Sequence, residues 1–151
     1  MDEQALRELL RTGETHRLEL KECSRLRKGD VQHVLCAFAN DFAEVGGGWL
    51  VIGVTDDKSV VGVPDADEFQ RLVASHAREC EPPVHVEVHV LSIKGRSVVV
   101  VTMQRSPARP HFASGACYVR VGSMTRPATS GEIEELFRRR HRSVPTEDEP
   151  V

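Results

Sequence analysis

Five residues have the types and spacing that metal-assisted phosphate chemistry uses. Glu19 and Lys21 form a Glu-x-Lys triplet, Glu14 lies five residues before Glu19, and Asp56 and Asp57 follow an apolar run. In metal-dependent nucleases such a triplet puts the carboxylate on the metal and the ammonium on the attacking water or the scissile phosphate. Alternating charge on a strand and acids in a turn are also common without such a role.

Two apolar patterns predict how these side chains are positioned. Residues 46–57 begin with three glycines and include five apolar residues, which is typical of a central strand buried on both faces. The two acids at its end would project from the strand tip. Residues 17–21 alternate charged and apolar side chains, so Glu19 and Lys21 should share an exposed strand face. Glu14 is at an odd offset from Glu19 and joins it only if the chain bends between them.

The rest of the chain predicts further helices and strands. Helices are predicted at 3–12, from Asp30 as cap to about Val45, from Asp65 as cap to Pro82-Pro83, and from a Thr129-x-x-Glu132 capping box to Arg142. Strands are predicted at 17–21, 49–54, 60–63, 84–90, 97–103 and 117–123. The pattern indicates an α+β fold, with a single mixed β-sheet of about six strands packed with about four helices. Residues 1–142 would form one domain, and 143–151 a disordered acidic tail.

Composition bounds the class of protein. The length of 151 residues suits one domain. The four cysteines are widely spaced, with no CxxC, so neither a disulfide framework nor a zinc site is indicated. No basic-plus-apolar leader opens the sequence, and no apolar run reaches the roughly 18 residues of a membrane span. A soluble, cytoplasmic protein is therefore expected.

The net charge of −3 conceals a strong asymmetry along the chain. Residues 1–104 carry 12 Lys/Arg against 17 Asp/Glu, whereas residues 105–144 carry 8 Arg against 3 Glu. Residues 88–131 contain no acid, which predicts one positive surface that suits a polyanion or an acidic protein partner. The candidate nucleic-acid contacts are Arg25, Arg27, Lys28, Arg105, Arg109, Tyr118, Arg120 and Arg126. Tyr118 and Arg120 share one strand face beside Gly122, an arrangement often used to meet bases and phosphates.

A set of ordered motifs resembles a known family. The motifs are Glu14-x4-Glu19-x-Lys21, Ala37-Phe38-Ala39-Asn40, Gly47-Gly48-x3-Ile52-Gly53-Val54-x-Asp56, Val61-Gly62-Val63 and Tyr118-Val119-Arg120-Val121-Gly122-Ser123, followed by a terminal helix. Together they resemble the Schlafen AlbA-type domains, described in bacteria as DNA-binding or divergent ATP-binding domains. The resemblance extends from about Glu14 to Phe137 and implies the same fold.

The resemblance also implies a site. Eukaryotic Schlafen relatives that cut tRNA use two glutamates and one aspartate as a metal-dependent endoribonuclease site. Matched by motif, these are Glu14, Glu19 and Asp56, with Asp57 the alternative because Thr55 stands where an acid is common. They would hold Mg or Mn, and Lys21 would steady the phosphate or the water. Because two copies of the domain pair in those relatives, a homodimer is expected.

Three functions follow as alternatives. The first is a metal-dependent endoribonuclease acting on structured RNA such as tRNA. The second is a DNA- or RNA-binding module that cuts nothing and whose acids only brace the sheet edge. The third is a nucleotide-binding regulator, which ranks last because the GGGWLVIG segment lacks the lysine and the strand-loop-helix order of a Walker loop.

Overall fold

The computed structural model describes residues 1–11, 17–27 and 29–140. The helices are α1 (Glu3–Arg11), α2 (Asp30–Asn40), α3 (Ala66–Glu79) and α4 (Ser130–Arg138), with a short 3-10 turn at Cys23–Arg25. The strands are β1 (Leu18–Lys21), β2 (Gly47–Ile52), β3 (Glu87–Ile93), β4 (Arg96–Gln104), β5 (Phe112–Ala113), β6 (Ala116–Val121) and β7 (Met124–Pro127). The predicted α+β class is confirmed, with seven strands in the described residues rather than about six.

The strands form two sheets rather than the single mixed sheet expected. The larger has the order β1-β2-β4-β3, with β1 parallel to β2 and the other pairs antiparallel. The smaller is the antiparallel sheet β5-β6-β7. Residues 105–111 separate them, and Pro107 and Pro110 in this segment have no N–H with which to continue a ladder.

Each face of the larger sheet has its own core. On one face, α2 and α3 pack over residues such as Leu50, Ile52 and Val99. On the other face, the leucines of α1 pack against Leu18, Leu20 and Val51. Residues 50–52 and 54 are all fully buried, so the prediction of a central strand covered on both sides is confirmed.

The approach of α2 to β2 requires a glycine. A Cβ added at Gly48 would lie 2.3 Å from a ring carbon of Phe38 and 2.6 Å from the carbonyl oxygen of Arg17. Only a residue without a side chain permits this spacing. Gly48 therefore sets how closely α2 packs on the sheet.

Several predicted boundaries differ from the structure. Helix α2 ends at Asn40, well before Val45, because Asp41 adopts a left-handed conformation and its carboxylate accepts hydrogen bonds from the next turn. Gly29, not Asp30, is the N-cap residue. Residues 60–63 make only one bridge, between Val54 and Val60, rather than a strand.

The two predicted helix caps are present as hydrogen bonds. Asp65 accepts from the backbone N–H of Glu68, and Thr129 and Glu132 form the full capping box. The tail at 143–151 lies outside the described residues. Among the helices described, none is both long and apolar enough to cross a membrane.

Candidate functional site

Glu19 lies inside the fold although β1 is an edge strand. Its side chain is 10% exposed, and its two carboxylate oxygens make separate ion pairs, Oε1 with Lys21 Nζ at 3.3 Å and Oε2 with Arg120 Nη2 at 2.9 Å. Glu19 and Lys21 share a strand face as predicted. The expectation that Glu19 is exposed was wrong, because the smaller sheet carries Arg120 over it.

Arg120 holds the Glu19 carboxylate in place. Its guanidinium also donates to the carbonyl oxygen of Leu18 at 2.9 Å and to Thr125 Oγ1 at 3.1 Å, and it lies 4.9 Å from the centroid of the Phe38 ring. Arg120 is 3% exposed, so the structure does not present it at the surface as a nucleic-acid contact. The geometry makes it a positioning residue for Glu19.

A polar cavity of about 760 Å³ opens beside Lys21. The cavity is lined by Glu19, Leu20, Lys21, Glu22, Arg27, Asp30, Thr55, Asp56 and Asp57. Three predicted catalytic residues, Glu19, Lys21 and Asp56, thus border one space. They meet because β1 and β2 are parallel and in register, with Lys21 opposite Ile52, so that both strands end at the same edge.

Sequence reasoning missed Glu22 and Asp30 as lining residues. Glu22 directly follows the Glu-x-Lys triplet, which was the available signal. Asp30 was predicted as a helix cap, but its carboxylate accepts from the backbone N–H of Arg27 at 3.0 Å and faces the cavity. The described lining has five acids and two cations, so it is net negative.

The two adjacent acids of the turn differ in their surroundings. The Asp57 carboxylate accepts from the Thr55 hydroxyl and from the Ser59 N–H, and these hydrogen bonds lower the pKa of Asp57. Asp56 is exposed and has no hydrogen-bond partner within the described part of the chain. This difference favours Asp56 over Asp57 as the acid that is available to a ligand.

Glu14, Lys28 and the side chain of Arg25 lie outside the described residues. Within residues 1–11, 17–27 and 29–140, no three His, Cys, Asp or Glu side chains gather closely enough to hold a metal ion. The carboxylates of Glu19 and Asp56 are the ligand type that Mg or Mn prefers. A three-carboxylate site would therefore need Glu14 as well.

Arg105 and Arg109 are interior residues rather than loop contacts. Arg105 pairs with Asp41 and with Glu44, each at 2.8 Å. Arg109 is fully buried, pairs with Glu44 at 3.3 Å and donates to the carbonyl oxygen of Arg139 at 2.7 Å. Burial lowers the pKa of Arg109, an effect that Glu44 partly offsets. These guanidinium groups join the 105–111 segment to the end of α2 and do not lie at the surface.

The remaining two predicted contacts lie on the smaller sheet. Tyr118 is half-buried and stacks on His33, with ring centroids 4.0 Å apart and an interplanar angle of 12°. Arg126 makes a two-pronged ion pair with Glu132, both distances being 2.8 Å. This guanidinium, with the Thr129 hydrogen bonds, lowers the pKa of Glu132 to about 2.

The acid-free stretch 88–131 does not build the positive surface predicted from it. Four of its six cations, the arginines at 105, 109, 120 and 126, are paired with acids supplied from other parts of the chain. Lys94 and Arg96 are the exposed cations left in this stretch. Folding thus neutralises most of the charge asymmetry seen along the sequence.

The family model described as Schlafen, AlbA_2 matches residues 14–129. The chain belongs to this family. The match to the Schlafen AlbA_2 model includes Glu14, Glu19 and Asp56 and ends before α4. The resemblance drawn from the sequence motifs is confirmed, and a comparison with curated proteins finds no match.

Two solved structures are similar in fold to this chain. One is the N-terminal domain of a protein from Nitrosomonas europaea related to the ATP-dependent DNA helicase RecG, with 25% identity, a TM-score of 0.58, and coverage of 98% of this chain and 96% of that one. Another is the DIP2311 protein from Corynebacterium diphtheriae, with 20% identity and a TM-score of 0.59 over 82% of this chain. This chain covers 24% of the length of DIP2311.

Proposed function

We propose that this chain is a nucleic-acid-binding domain and that it holds the phosphate backbone at the cavity beside Lys21. The family match and the likeness to a domain from a DNA-helicase-related protein support a nucleic-acid-related role. The observation that carries the site is the convergence of Lys21 and Arg27 with the carboxylates of Glu19 and Asp56 around one cavity. Ammonium and guanidinium groups donate hydrogen bonds to phosphate oxygens, and carboxylates hold the cations that accompany them.

Binding at this cavity should depend on a divalent cation. The described lining is net negative, so a polyanion placed there without a counter-ion would be repelled. Five acids and two cations give the described lining a net charge of −3, and one Mg or Mn ion held by Glu19 and Asp56 would bring it to −1 and so weaken the repulsion of a phosphate. Exposed cations elsewhere, such as Lys94 and Arg96, would then contribute only the general electrostatic attraction.

A second candidate function is hydrolysis of structured RNA, such as tRNA, at the same cavity. The specific observation in its favour is that Glu19, Lys21 and Asp56 border one space, with Arg120 orienting Glu19. A bound Mg or Mn ion would supply a polarised phosphate and a more acidic water. The Lys21 ammonium would donate a hydrogen bond to a phosphate oxygen.

The test compares wild type with Asp56→Asn, because Asp56 is exposed and its change should leave the fold intact. Labelled tRNA and DNA are incubated with the protein, with Mn, with Mg and with chelator. We expect wild type to bind more weakly in chelator, and the Asp56→Asn variant to lose this metal dependence. Asp67→Asn, which changes an exposed acid of α3, is the matched control and should behave as wild type.

The outcomes separate the candidates. Metal-dependent products from wild type and Asp67→Asn, but not from Asp56→Asn, would establish the nuclease. Binding without products would leave the non-catalytic module. Affinity that does not change with salt would refute phosphate contact altogether, because each contact releases counter-ions. Sedimentation equilibrium tests the predicted homodimer separately.

A further inference from the structure

Trp49 and Arg17 form a partly exposed stack at the opposite end of β1 and β2 from the cavity beside Lys21. The Arg17 guanidinium lies 4.6 Å from the centroid of the indole ring. The backbone fixes the pair, since the Trp49 N–H donates to the Arg17 carbonyl oxygen at 2.7 Å. Arg17 is exposed and Trp49 is half-buried.

The sheet face around Trp49 is only partly covered. Helix α1 is nine residues long and buries Leu18, Leu20 and Val51 on this face. In the ladder, Trp49 lies between Leu18 and Thr102, at the border of the surface that α1 buries. Gln104, two residues beyond Thr102 on β4, shares the face and is exposed.

A depression of about 370 Å³ is present at this place. Its lining includes Arg17, Trp49, Thr102 and Gln104, here called the Trp49 platform. A second depression of about 200 Å³ shares Thr102 and Gln104 and continues toward His85 and Ser106. The lining of the larger depression thus places hydroxyl and amide groups next to an aromatic ring.

We propose that the Trp49 platform binds unpaired bases of single-stranded nucleic acid. Aromatic side chains and arginine planes on an open sheet face stack bases, and neighbouring amide and hydroxyl groups can pair with base edges. A base can stack on the Arg17 guanidinium, or it can displace the guanidinium and stack on the Trp49 indole. The size of the larger depression falls within the range of about 300–1,000 Å³ typical of small-ligand pockets.

This inference rests on the proposed nucleic-acid binding and adds a second contact region to it. The residues from Arg17 to Lys21 span about 13 Å at a strand rise of roughly 3.3 Å per residue. Trp49 lies on the sheet face that α1 covers and Lys21 points to the other face, so a nucleic-acid strand that contacts both would pass around the edge strand β1. The platform would hold an unpaired segment, while the cavity holds a phosphate.

Trp49 is the only tryptophan of the chain, so its fluorescence reports on the platform alone. The probe is a labelled single-stranded oligonucleotide of about 12 nucleotides, a length within known single-strand site sizes. We expect saturable quenching of Trp49 emission that coincides with the rise in anisotropy of the label. A duplex of the same length should quench less, because its bases are already stacked and paired.

Variants separate stacking from packing. Trp49→Leu should weaken binding of the single strand by about 5- to 150-fold, the effect of losing one aromatic stack. Trp49→Phe, which keeps an aromatic ring, should stay close to wild type. Arg17→Ala should weaken binding, whereas Arg71→Ala, an exposed arginine of α3, should have no effect. Thermal melts confirm that each variant is folded.

Two outcomes would overturn the inference, and they differ in what they leave standing. If the oligonucleotide binds by anisotropy while Trp49 emission and the affinity of Trp49→Leu are unchanged, the platform is not a base site and the proposed function survives. If neither signal shows binding of single-stranded or duplex nucleic acid, the proposed function falls and the inference falls with it.

Discussion

Replacing Arg120 by methionine should be the most costly single change at the candidate site. The variant removes a guanidinium that is 3% exposed and leaves the Glu19 carboxylate, itself 10% exposed, without its shorter ion pair. Breaking a buried pair from one side costs about 3–5 kcal/mol, because the surviving charge keeps its desolvation penalty. Lys21 remains 3.3 Å from the carboxylate, which places the expected loss near the lower end, at about 3 kcal/mol.

The measurement is urea unfolding of the variant beside Arg7→Met. Arg7 makes a surface pair with Glu3 at 3.0 Å, its side chain is 50% exposed, and its loss should cost about 0.5 kcal/mol or less. Adding Glu19→Gln to Arg120→Met should restore stability in part, because no buried charge is then left without its partner.

Two results would refute this reasoning. The first is a loss below about 1 kcal/mol for Arg120→Met, which is the cost of a surface pair rather than a buried one. The second is an identical effect of Glu19→Gln in the wild-type and Arg120→Met backgrounds, since residues that interact must show coupling. Either would mean that Arg120 does not position Glu19.

Three further predictions concern the fold. Gly48→Ala should destabilise the protein by about 1–3 kcal/mol in urea unfolding, because its Cβ would overlap a core phenylalanine ring, whereas Gly131→Ala meets open space inside a helix and should stabilise by about 0.5 kcal/mol. Burial lowers the pKa of His111, so as the pH falls this histidine is protonated in the unfolded chain before it is protonated in the folded one. Stability should therefore be complete above the ordinary histidine pKa and fall as pH drops below it, by at most about 1.4 kcal/mol per pH unit, with a shallower dependence in His111→Gln. Burial raises the pKa of Cys36 to about 12, so a thiol reagent at neutral pH should modify the half-buried Cys23 first, and equal rates would contradict the buried placement.

Local signals made much of the fold predictable. Helix α3 and helix α4 are predictable from caps that span only four residues of sequence, and the structure shows those caps as hydrogen bonds. The central strand was predicted because a run without polar residues must be covered on both faces. The split into two sheets was not predictable in the same way, since it depends on where the proline-containing 105–111 segment is anchored.

The roles of the arginines were not predictable from sequence. Arg105 pairs with Asp41 from 64 residues away, and Arg120 pairs with Glu19 from 101 residues away. Counting charges along the sequence does not reveal partners that are so distant in the chain. Both guanidinium groups were therefore predicted to be exposed to solvent. The family resemblance placed Glu19 and Asp56 in one site, and the parallel ladder of β1 and β2 explains why both line one cavity.

The alignment of β1 with β2 decides which chemistry the edge of the sheet can display. Side chains alternate along a strand, so a slip of β1 by one residue would turn Glu19 and Lys21 beneath α1 and present two leucines to the solvent-filled space instead. A four-residue strand has few backbone bonds to resist such a slip. The Arg120 guanidinium donates to both the Leu18 carbonyl oxygen and the Glu19 carboxylate, so it stabilises this register of β1. The polar character of that edge depends on the register.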